Sequence, residues 1–468
     1  MIQLFDSAWK KGLDPEDYDA SRWAARRESL QRSNGDVGQF DVQLTVSAMR
    51  YISDLHVGRV NPRHVGFQLD TAQKKYDLAQ FLRDRILPAA DVSAVLDAIE
   101  PPFGVYRRTE EALIRYTDLA RRDDGQKLPV PNRPVDPGQP YAGLAPLVAR
   151  LKLVGDLPSD FADAGSDQVY SGAVVDGVKR FQGRHGLDAD GRLGPTTAKE
   201  LNVPMADRVH QLQLALERWR WLPTTYAAPP IIVNLPDFRL RALNPDNTVA
   251  LRMRVVIGKA MNTQTPIFTR DMDYVVFRPY WVVPPGIMRR SIIPSIQKNR
   301  NYIADNRYQV ITGSGTVVTS GTISDDVLAQ LRAGKLLVRQ KPGPKNALGL
   351  VKMIFPNEHS VYLHSTPSTE LFAKSRRDFS SGCIRVEEPA KLAAWVLRNN
   401  DGWPLERVEQ AMDSGRDDVT VRLAQKVPVF IVYGTAIAYE NGEVHFYDDL
   451  YGHDKRLTSA LAASRPAA

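Results

Sequence analysis

The chain has 468 residues, of which 43% are hydrophobic and 25% charged, and its formal net charge is +7. This length exceeds what one hydrophobic core usually serves, so we expect two or three globular domains. The chain lacks the run of about 18 apolar residues that a transmembrane helix needs. Basic residues are scattered among acidic ones without a basic run or an RNA-binding aromatic signature, so no nucleic-acid partner is predicted.

Residues 1–124 are predicted to form a helical scaffold region, because apolar residues recur at helical spacing over 44–55 and 110–119. His56 and His64 lie in this region without a metal-ligand pattern around them, so no metal site is predicted. The start of the chain, MIQLFD, has neither a basic segment nor an apolar stretch, so no signal peptide is visible.

Residues 125–140 are rich in proline and glycine and are predicted to be a linker. Residues 141–203 are predicted to form a small three-helix module, since apolar stripes recur at helical spacing and a Gly-Pro pair opens the last helix. Residues 204–227, rich in Leu, Arg and Trp, are predicted to be a connecting helix.

Residues 228–440 are predicted to form a mainly β domain, because the hydrophobic pattern changes there from helical to alternating. The excursion 284–341 is too long for a hairpin loop, so it is either a lid or a structural insertion, with a helical stretch at 291–300. Residues 441–468 are left as a C-terminal extension. The predicted fold class is α+β multidomain. Strands are expected at 231–234, 238–243, 251–257, 274–277, 350–354, 361–364 and 427–433.

Cys383 is the single cysteine of the chain, and His364 precedes it in sequence. A thiol is nucleophilic only as the thiolate, and imidazole is the side chain best suited to remove its proton. The alternative is a small buried cysteine without reactivity. The polar, glycine-containing surroundings favour the catalytic interpretation. A helix predicted over 387–397 would place Cys383 on a loop just before a helix, where backbone N–H groups can receive an anion.

The segment from His364 to Arg385 resembles the catalytic motif of the L,D-transpeptidases, which have a YkuD-type catalytic domain. Its Ser-Ser-Gly-Cys run is similar to that of the large periplasmic YcbB-like subclass. The runs PYWVVP at 279–284 and RQKPGPKNALG at 339–349 resemble two further signatures of that subclass. Residues 141–203 resemble a peptidoglycan-binding domain. The alternative is that this helical module serves only as packing.

In the predicted mechanism His364 deprotonates Cys383, and Ser365 or a backbone carbonyl orients the imidazole. The backbone N–H groups of Gly382 and Cys383 are predicted to bind the oxyanion, and glycine allows close approach to the substrate. Tyr362 alternates in phase with His364 and is predicted to line the pocket.

Four further residues are candidates for substrate binding. Ser381 precedes the nucleophile, and Arg385 is suited to hold a carboxylate, although an ion pair with the acidic residues at 387–388 is an equal alternative. Tyr280 and Trp281 are predicted either to wall the donor site or to be ordinary core aromatics.

The resemblance implies a peptidoglycan L,D-transpeptidase that releases D-alanine from a tetrapeptide stem and forms 3-3 cross-links through a cysteine thioester. A hydrolase acting on the same stems and a non-catalytic wall-binding scaffold are the alternatives. The implied partners are stem peptides, glycan and other cell-wall synthesis enzymes. No cofactor is implied, and a carbapenem is expected to acylate Cys383. The implied location is the periplasm, so we expect an export or anchor segment to be missing from this sequence.

Overall fold

The structure is a computed structural model in which the chain divides into two compact units. The first consists of Met1–Tyr226 and Val432–Ala468, and the second of Ala227–Ile431. The C-terminal segment therefore belongs to the unit that contains the N-terminal residues. The finer division into scaffold, linker, module and extension stays a prediction. The structure describes all residues except 33–35, 72–73, 75–76, 162–167 and 465–468.

The α-helices lie mostly in the first unit. Single π-helical turns occur at Leu82–Ile86 and Met288–Ile292. In chain order the α-helices are α1 (Ile2–Asp6), α2 (Trp23–Arg32), α3 (Val37–Val57), α4 (Leu78–Phe81), α5 (Val92–Asp97), α6 (Gly104–Arg122), α7 (Leu144–Val154), α8 (Ala173–Arg184), α9 (Pro195–Leu201), α10 (Met205–Arg220), α11 (Pro285–Ile287), α12 (Ile293–Lys298), α13 (Tyr302–Asp305), α14 (Asp325–Arg332), α15 (Pro389–Val396), α16 (Leu405–Asp413) and α17 (His453–Ala463).

The β-strands lie mostly in the second unit. In chain order they are β1 (Ile231–Asn234), β2 (Arg239–Leu243), β3 (Val249–Gly258), β4 (Thr269–Phe277), β5 (Trp281–Val282), β6 (Tyr308–Ile311), β7 (Val317–Thr319), β8 (Leu337–Gln340), β9 (Val351–Ile354), β10 (Leu363–His364), β11 (Asp378–Ser380), β12 (Ile384–Val386), β13 (Val419–Val432), β14 (Ala436–Ala438) and β15 (Val444–Phe446).

The first unit is helical, as predicted. The expected helices over 44–55 and 110–119 are the middle parts of α3 and α6. Helices α7, α8 and α9 form the predicted three-helix module around their own apolar core, which includes Leu147, Leu151 and Phe181. The helix predicted after this module is α10.

The second unit is built on a large sheet with the strand order β11-β3-β12-β10-β9-β4-β13-β1-β2. Strand β2 pairs with β3 as well as with β1, so the sheet closes on itself. Burial alternates along β9, as expected for a strand with one covered face, whereas β1 is buried throughout. On β9, Val351 and Met353 are buried, whereas Lys352 and Ile354 are half-buried.

The excursion 284–341 is a substructure with its own small sheet and core. Strands β5, β8, β6 and β7 form this sheet in that order, and the predicted helical stretch becomes the π turn followed by α12. The strands within the excursion were not predicted. A separate core indicates an insertion that folds around its own apolar residues, and its action as a lid stays a prediction. Buried members of this core include Ile296, Ile303, Val310, Leu331 and Val338.

The position of Cys383 corrects one expectation. The predicted helix is present as α15, but β12 lies between Cys383 and that helix. Cys383 therefore precedes a strand, and the helix N-terminus is not available to it as a local anion site. The error arose because the three-residue strand Ile384–Val386 is too short to show the alternation by which strands are recognised.

We expect Leu363→Ala to lower the free energy of unfolding of the second unit by about 2–5 kcal/mol, because it leaves a cavity at a fully buried position. Leu363 is 0% exposed and pairs with Met353 on one side and Ile384 on the other. Denaturant unfolding followed by tryptophan fluorescence measures the effect. Val318→Ala, at a position 45% exposed, is the control. Equal effects of the two substitutions would show that Leu363 and its paired residues Met353 and Ile384 do not form a buried core of the sheet.

Candidate active site

The pairing of β10 with β12 brings the two halves of the sequence motif together. The strands are parallel, with His364 opposite Arg385, and the N–H of Ile384 donates to the carbonyl oxygen of Tyr362 at 3.1 Å. The residues that precede the paired Leu363 and Ile384 are Tyr362 and Cys383, so these two lie side by side. Since side chains alternate along a strand and paired residues share a face, the side chains of these two pairs belong to one face of the sheet.

The thiol of Cys383 is half-buried and free. Its Sγ donates to the carbonyl oxygen of Ser360 at 3.6 Å. Burial raises the pKa of the thiol, whereas hydrogen bonds from Tyr362 and the charge of Arg385 act in the opposite direction. Within the described residues the hydrogen-bond acceptor of Sγ is Ser360, not the His364 ring. Direct contact between Cys383 and His364 therefore stays a prediction.

His364 is 4% exposed, and its ring orientation is set by the backbone. Nδ1 lies 2.5 Å from the carbonyl oxygen of Ser365. Because a carbonyl oxygen only accepts, Nδ1 carries the proton and Nε2 presents a lone pair, the tautomer that a general base needs. Burial, followed by the charge of Arg385, lowers the pKa of His364 to about 3, although the carbonyls of Ser365 and Leu348 oppose this shift.

Ser365 thus contacts the ring through its main-chain oxygen, the second of the two possibilities raised by the sequence. Its hydroxyl packs toward Gly349, where an added Cβ would lie 2.4 Å from Oγ. Gly349 also has a φ of 63°, in the left-handed region that favours glycine. The glycine that ends the run 339–349 therefore allows close packing behind the histidine.

Ser380 shapes the turn that carries the nucleophile. Its Oγ accepts the N–H of Gly382 at 3.1 Å and donates to the carbonyl oxygen of Cys383 at 2.5 Å. The predicted use of the Gly382 N–H as an oxyanion donor therefore conflicts with this geometry, because that N–H already has an acceptor. Among the described residues, the N–H of Cys383 has no such acceptor. Gly382 has a φ of 120°, which explains the requirement for glycine.

Two threonines that the sequence did not single out hold this turn from the loop after β3. The buried Thr265 accepts the N–H of Gly258 at 2.9 Å and donates to the carbonyl oxygen of Gly382 at 2.8 Å. Thr263 Oγ1 donates to the carbonyl oxygen of Ser380 at 3.2 Å. The only signal in the sequence was a short polar run after a strand ending in glycine, which predicts a turn and no more.

Asn346 joins the two upstream signature runs. Its buried side-chain amide donates to the carbonyl oxygens of Pro279 at 3.1 Å and Lys341 at 3.0 Å, and its Oδ1 accepts the N–H of Leu348 at 2.8 Å. A single side chain therefore ties the run 279–284 to the run 339–349. The motif pointed to this segment, but the role of the asparagine needed the structure.

The two predicted aromatic wall residues have visible structural contacts. The Arg339 guanidinium lies 4.3 Å from the ring centre of Tyr280. Trp281 pairs with Gln340, and its half-buried ring lies 6.4 Å from that of Tyr308, at the edge of the insertion's core. These contacts describe core packing for Trp281, so a role in the donor site stays a prediction for both residues.

Arg385 has no ion pair with the acidic residues that follow it. Glu387 pairs with Arg254 at 2.6 Å, and Glu388 pairs with Lys391 at 2.6 Å. The alternative prediction, that Arg385 forms an ion pair with Glu387 or Glu388, is therefore wrong. Its Nε is buried and has no hydrogen-bond partner in the described part of the chain. Burial lowers the pKa of Arg385, and the charge of Glu370 opposes this shift.

The two remaining candidates differ in accessibility. Ser381 is exposed beside the nucleophile. The Tyr362 ring lies 5.8 Å from that of His364, and burial, followed by the nearby Cys383 thiol, raises the pKa of its phenol. Tyr362 therefore lies beside both members of the predicted catalytic pair. Among the described residues, no group of three or more His, Cys, Asp or Glu side chains is arranged to hold a metal ion.

Three segments of the chain match known protein families. Residues 229–430 match the family described as "L,D-transpeptidase catalytic domain", of the YkuD type. Residues 1–113 match "Scaffold domain", and residues 147–201 match "Putative peptidoglycan binding domain". Residues 229–430 are therefore similar to the L,D-transpeptidase catalytic domain, and the predicted resemblances of the catalytic region and the helical module are confirmed.

A relative from Haemophilus influenzae, named "Putative L,D-transpeptidase", is 30% identical over 264 residues, which is 56% of this chain. The match spans 51% of that protein's length, about half. Assignment to the YcbB-like subclass stays a prediction. In the part of the chain that the structure describes, none of the helices combines the length and apolar character needed to cross a membrane.

The pKa of His364 gives a prediction about its protonation. We expect the ring to keep its neutral Nδ1–H tautomer down to about pH 4, as ¹⁵N NMR of labelled histidine can show, with His364→Gln identifying its signals among the eight histidines. Because an unfolded histidine binds its proton near pH 6.5, the unfolded state takes up the proton first on acidification. The His364 contribution to the free energy of unfolding should therefore fall between about pH 6.5 and about pH 3. A ring that titrates near pH 6.5 in the folded protein would contradict the burial described here.

Proposed function

We propose that this protein is a peptidoglycan L,D-transpeptidase that forms 3-3 cross-links through a thioester on Cys383. The observation that carries the proposal is the shared sheet face of Cys383 and His364, with Nδ1 of the histidine engaged by Ser365. This arrangement leaves Nε2 as the acceptor for the thiol proton. The match of residues 229–430 to the L,D-transpeptidase catalytic domain supports the same reaction class.

In the first half-reaction the Cys383 proton passes to Nε2 of His364 as the sulfur attacks a carbonyl carbon of the donor stem. That carbonyl belongs to the third residue, a diamino acid. The C–N bond to D-alanine breaks, D-alanine leaves with the proton from the imidazolium, and a thioester remains. Rotation about the Cys383 χ1 bond, which has three staggered positions, is the movement that would release Sγ from Ser360.

In the second half-reaction a side-chain amine of another stem attacks the thioester. The amine proton passes to the imidazole and returns to the departing sulfur, so the enzyme is regenerated and an amide cross-link is formed. Water as the acceptor would give hydrolysis instead, with no change in the residues used.

The oxyanion formed in each step needs donors directed at it, each typically worth about 3–4 kcal/mol of the barrier. The unengaged N–H of Cys383 is the donor that the turn offers. Since Ser380 already occupies the Gly382 N–H, we assign to Gly382 the backbone conformation of the turn rather than a hydrogen bond. Arg385, with its buried unpaired Nε, is assigned to a carboxylate of the donor.

The peptidoglycan-binding domain match over 147–201 supports the polymer as partner. A substrate of this kind places the working enzyme outside the inner membrane, so we propose a periplasmic location. Carbapenems are proposed inhibitors, because their strained ring carbonyl is an acceptor for the same thiolate.

The nucleophile is tested by Cys383→Ser and Cys383→Ala. We expect both variants to lose more than about 1000-fold in kcat/KM for cross-link formation, because the sulfur forms the intermediate. Mass spectrometry should also show a carbapenem adduct on the wild type that is absent from Cys383→Ser, whereas Ser459→Ala, an exposed change in α17, should keep both properties. An adduct that persists in Cys383→Ser would exclude this nucleophile. Products limited to trimmed monomers would favour the hydrolase, and unchanged cross-linking by Cys383→Ala would favour the scaffold.

The orienting group is tested by comparing Ser365→Ala with His364→Gln. Ser365→Ala keeps the main-chain oxygen that accepts from Nδ1, so we expect its kcat/KM to stay within about fivefold of the wild type. His364→Gln removes the base and should lower kcat by roughly 100-fold to 10,000-fold. Steady-state release of D-alanine measures both. Equal losses in the two variants would show that the Ser365 hydroxyl, not its carbonyl, orients the ring.

A further inference from the structure

Lys352 lies on the same sheet face as the predicted catalytic residues, although no motif singled it out. Strand β9 pairs antiparallel with β10, and Lys352 stands opposite His364. On the other side, His364 stands opposite Arg385. Because paired residues share a face, Arg385, His364 and Lys352 form one row across three neighbouring strands, with the imidazole between two cations.

The alternation of β9 separates Lys352 from the apolar core. Val351 and Met353, its neighbours in sequence, are fully buried on the opposite face, whereas Lys352 is half-buried. Lys352 therefore lies on the face that also carries His364 and Arg385, where it is partly accessible to solvent.

The charge of Lys352 is not neutralised by a direct partner. In the described part of the chain it has neither an ion pair nor a hydrogen-bond acceptor. Burial lowers its pKa, and the exposed Asp418 opposes this shift without reaching ion-pair distance. A partly buried ammonium without a paired carboxylate is unfavourable unless a ligand supplies the anion.

Other cationic side chains of this unit form ion pairs with carboxylates, in contrast to Lys352. Arg278 pairs with Asp417 at 2.8 Å, and Arg422 pairs with Asp273 at 2.9 Å. Asp418 itself accepts the N–H of Tyr280 at 3.4 Å. The carboxylate whose charge acts on Lys352 therefore also contacts the run 279–284, which the sequence had associated with the donor site.

Resting on the proposed function, we infer that Lys352 binds a side-chain carboxylate in those donor peptides whose third residue carries one. Neighbouring strands lie about 4.8 Å apart, so the two ends of the row are separated by about 10 Å. Arg385 acts on the Cys383 thiol and is the cation suited to the terminal D-alanine carboxylate. Lys352, on the far side of His364, is suited to an anion on the other side of the scissile carbonyl. Stems whose third residue carries a free side-chain carboxylate are then preferred over stems in which that group is amidated.

The test compares Lys352→Met and Lys352→Arg with wild type on two synthetic tetrapeptides that differ only in a free or amidated side-chain carboxylate. Methionine keeps the apolar stem without the charge, and arginine restores the charge. We expect the wild type to prefer the free acid by roughly tenfold or more in kcat/KM. Lys352→Met should lose this preference through a higher KM for the free acid alone, and Lys352→Arg should recover most of it. Lys391→Met, at an exposed lysine paired with Glu388, is the matched control.

A preference retained by Lys352→Met, or equal losses on both peptides, would overturn the inference and leave Lys352 a structural residue. Calorimetric binding of the two peptides to Cys383→Ser separates this question from catalysis. Binding that depends on Lys352 and on the free carboxylate, without turnover by the wild type, would support the inference while defeating the proposed transpeptidation. No binding of either peptide would overturn both.

Discussion

The site depends on the parallel pairing of two very short strands, β10 and β12. This pairing places Tyr362 beside Cys383 and His364 beside Arg385, from segments that are separate in the chain. A shift of one residue in the register would turn one set of side chains to the opposite face. The register is held by the fully buried row through Leu363 on the other face. The apolar packing of one face therefore specifies the chemistry of the other.

The resting charge state follows from burial. Desolvation raises the pKa of the Cys383 thiol and lowers that of the His364 ring, so both groups are neutral before substrate arrives. A preformed thiolate–imidazolium pair is therefore not favoured by the surroundings. In the proposed mechanism, proton transfer would accompany attack on the carbonyl, and the nearby charge of Arg385 would favour the thiolate formed by this transfer.

Long elements and the candidate catalytic residues could be predicted from the sequence, because each carries a local signal. Helices α3 and α6 have sustained apolar periodicity, and a lone cysteine in a Ser-Gly-Cys turn is recognisable by itself. Short strands and supporting polar residues were not accessible. Ser380, Thr265 and Asn346 act through hydrogen bonds to backbone groups distant in sequence, and such contacts leave no periodic pattern.

The sequence by itself determined the family resemblance, the nucleophile candidate and the order of helical and β regions, because these depend on local residue patterns. Only the tertiary structure decided which hydrogen-bonding atoms are free to bind a substrate. The N–H of Gly382 donates to the Ser380 side chain, and the main-chain oxygen of Ser365 orients the histidine. The two carboxylates that follow Arg385 in the chain form ion pairs with other residues. It also aligned Lys352 with the site. The physical reason is that hydrogen-bond partners and shared sheet faces are set by strand register, which joins residues far apart in the chain.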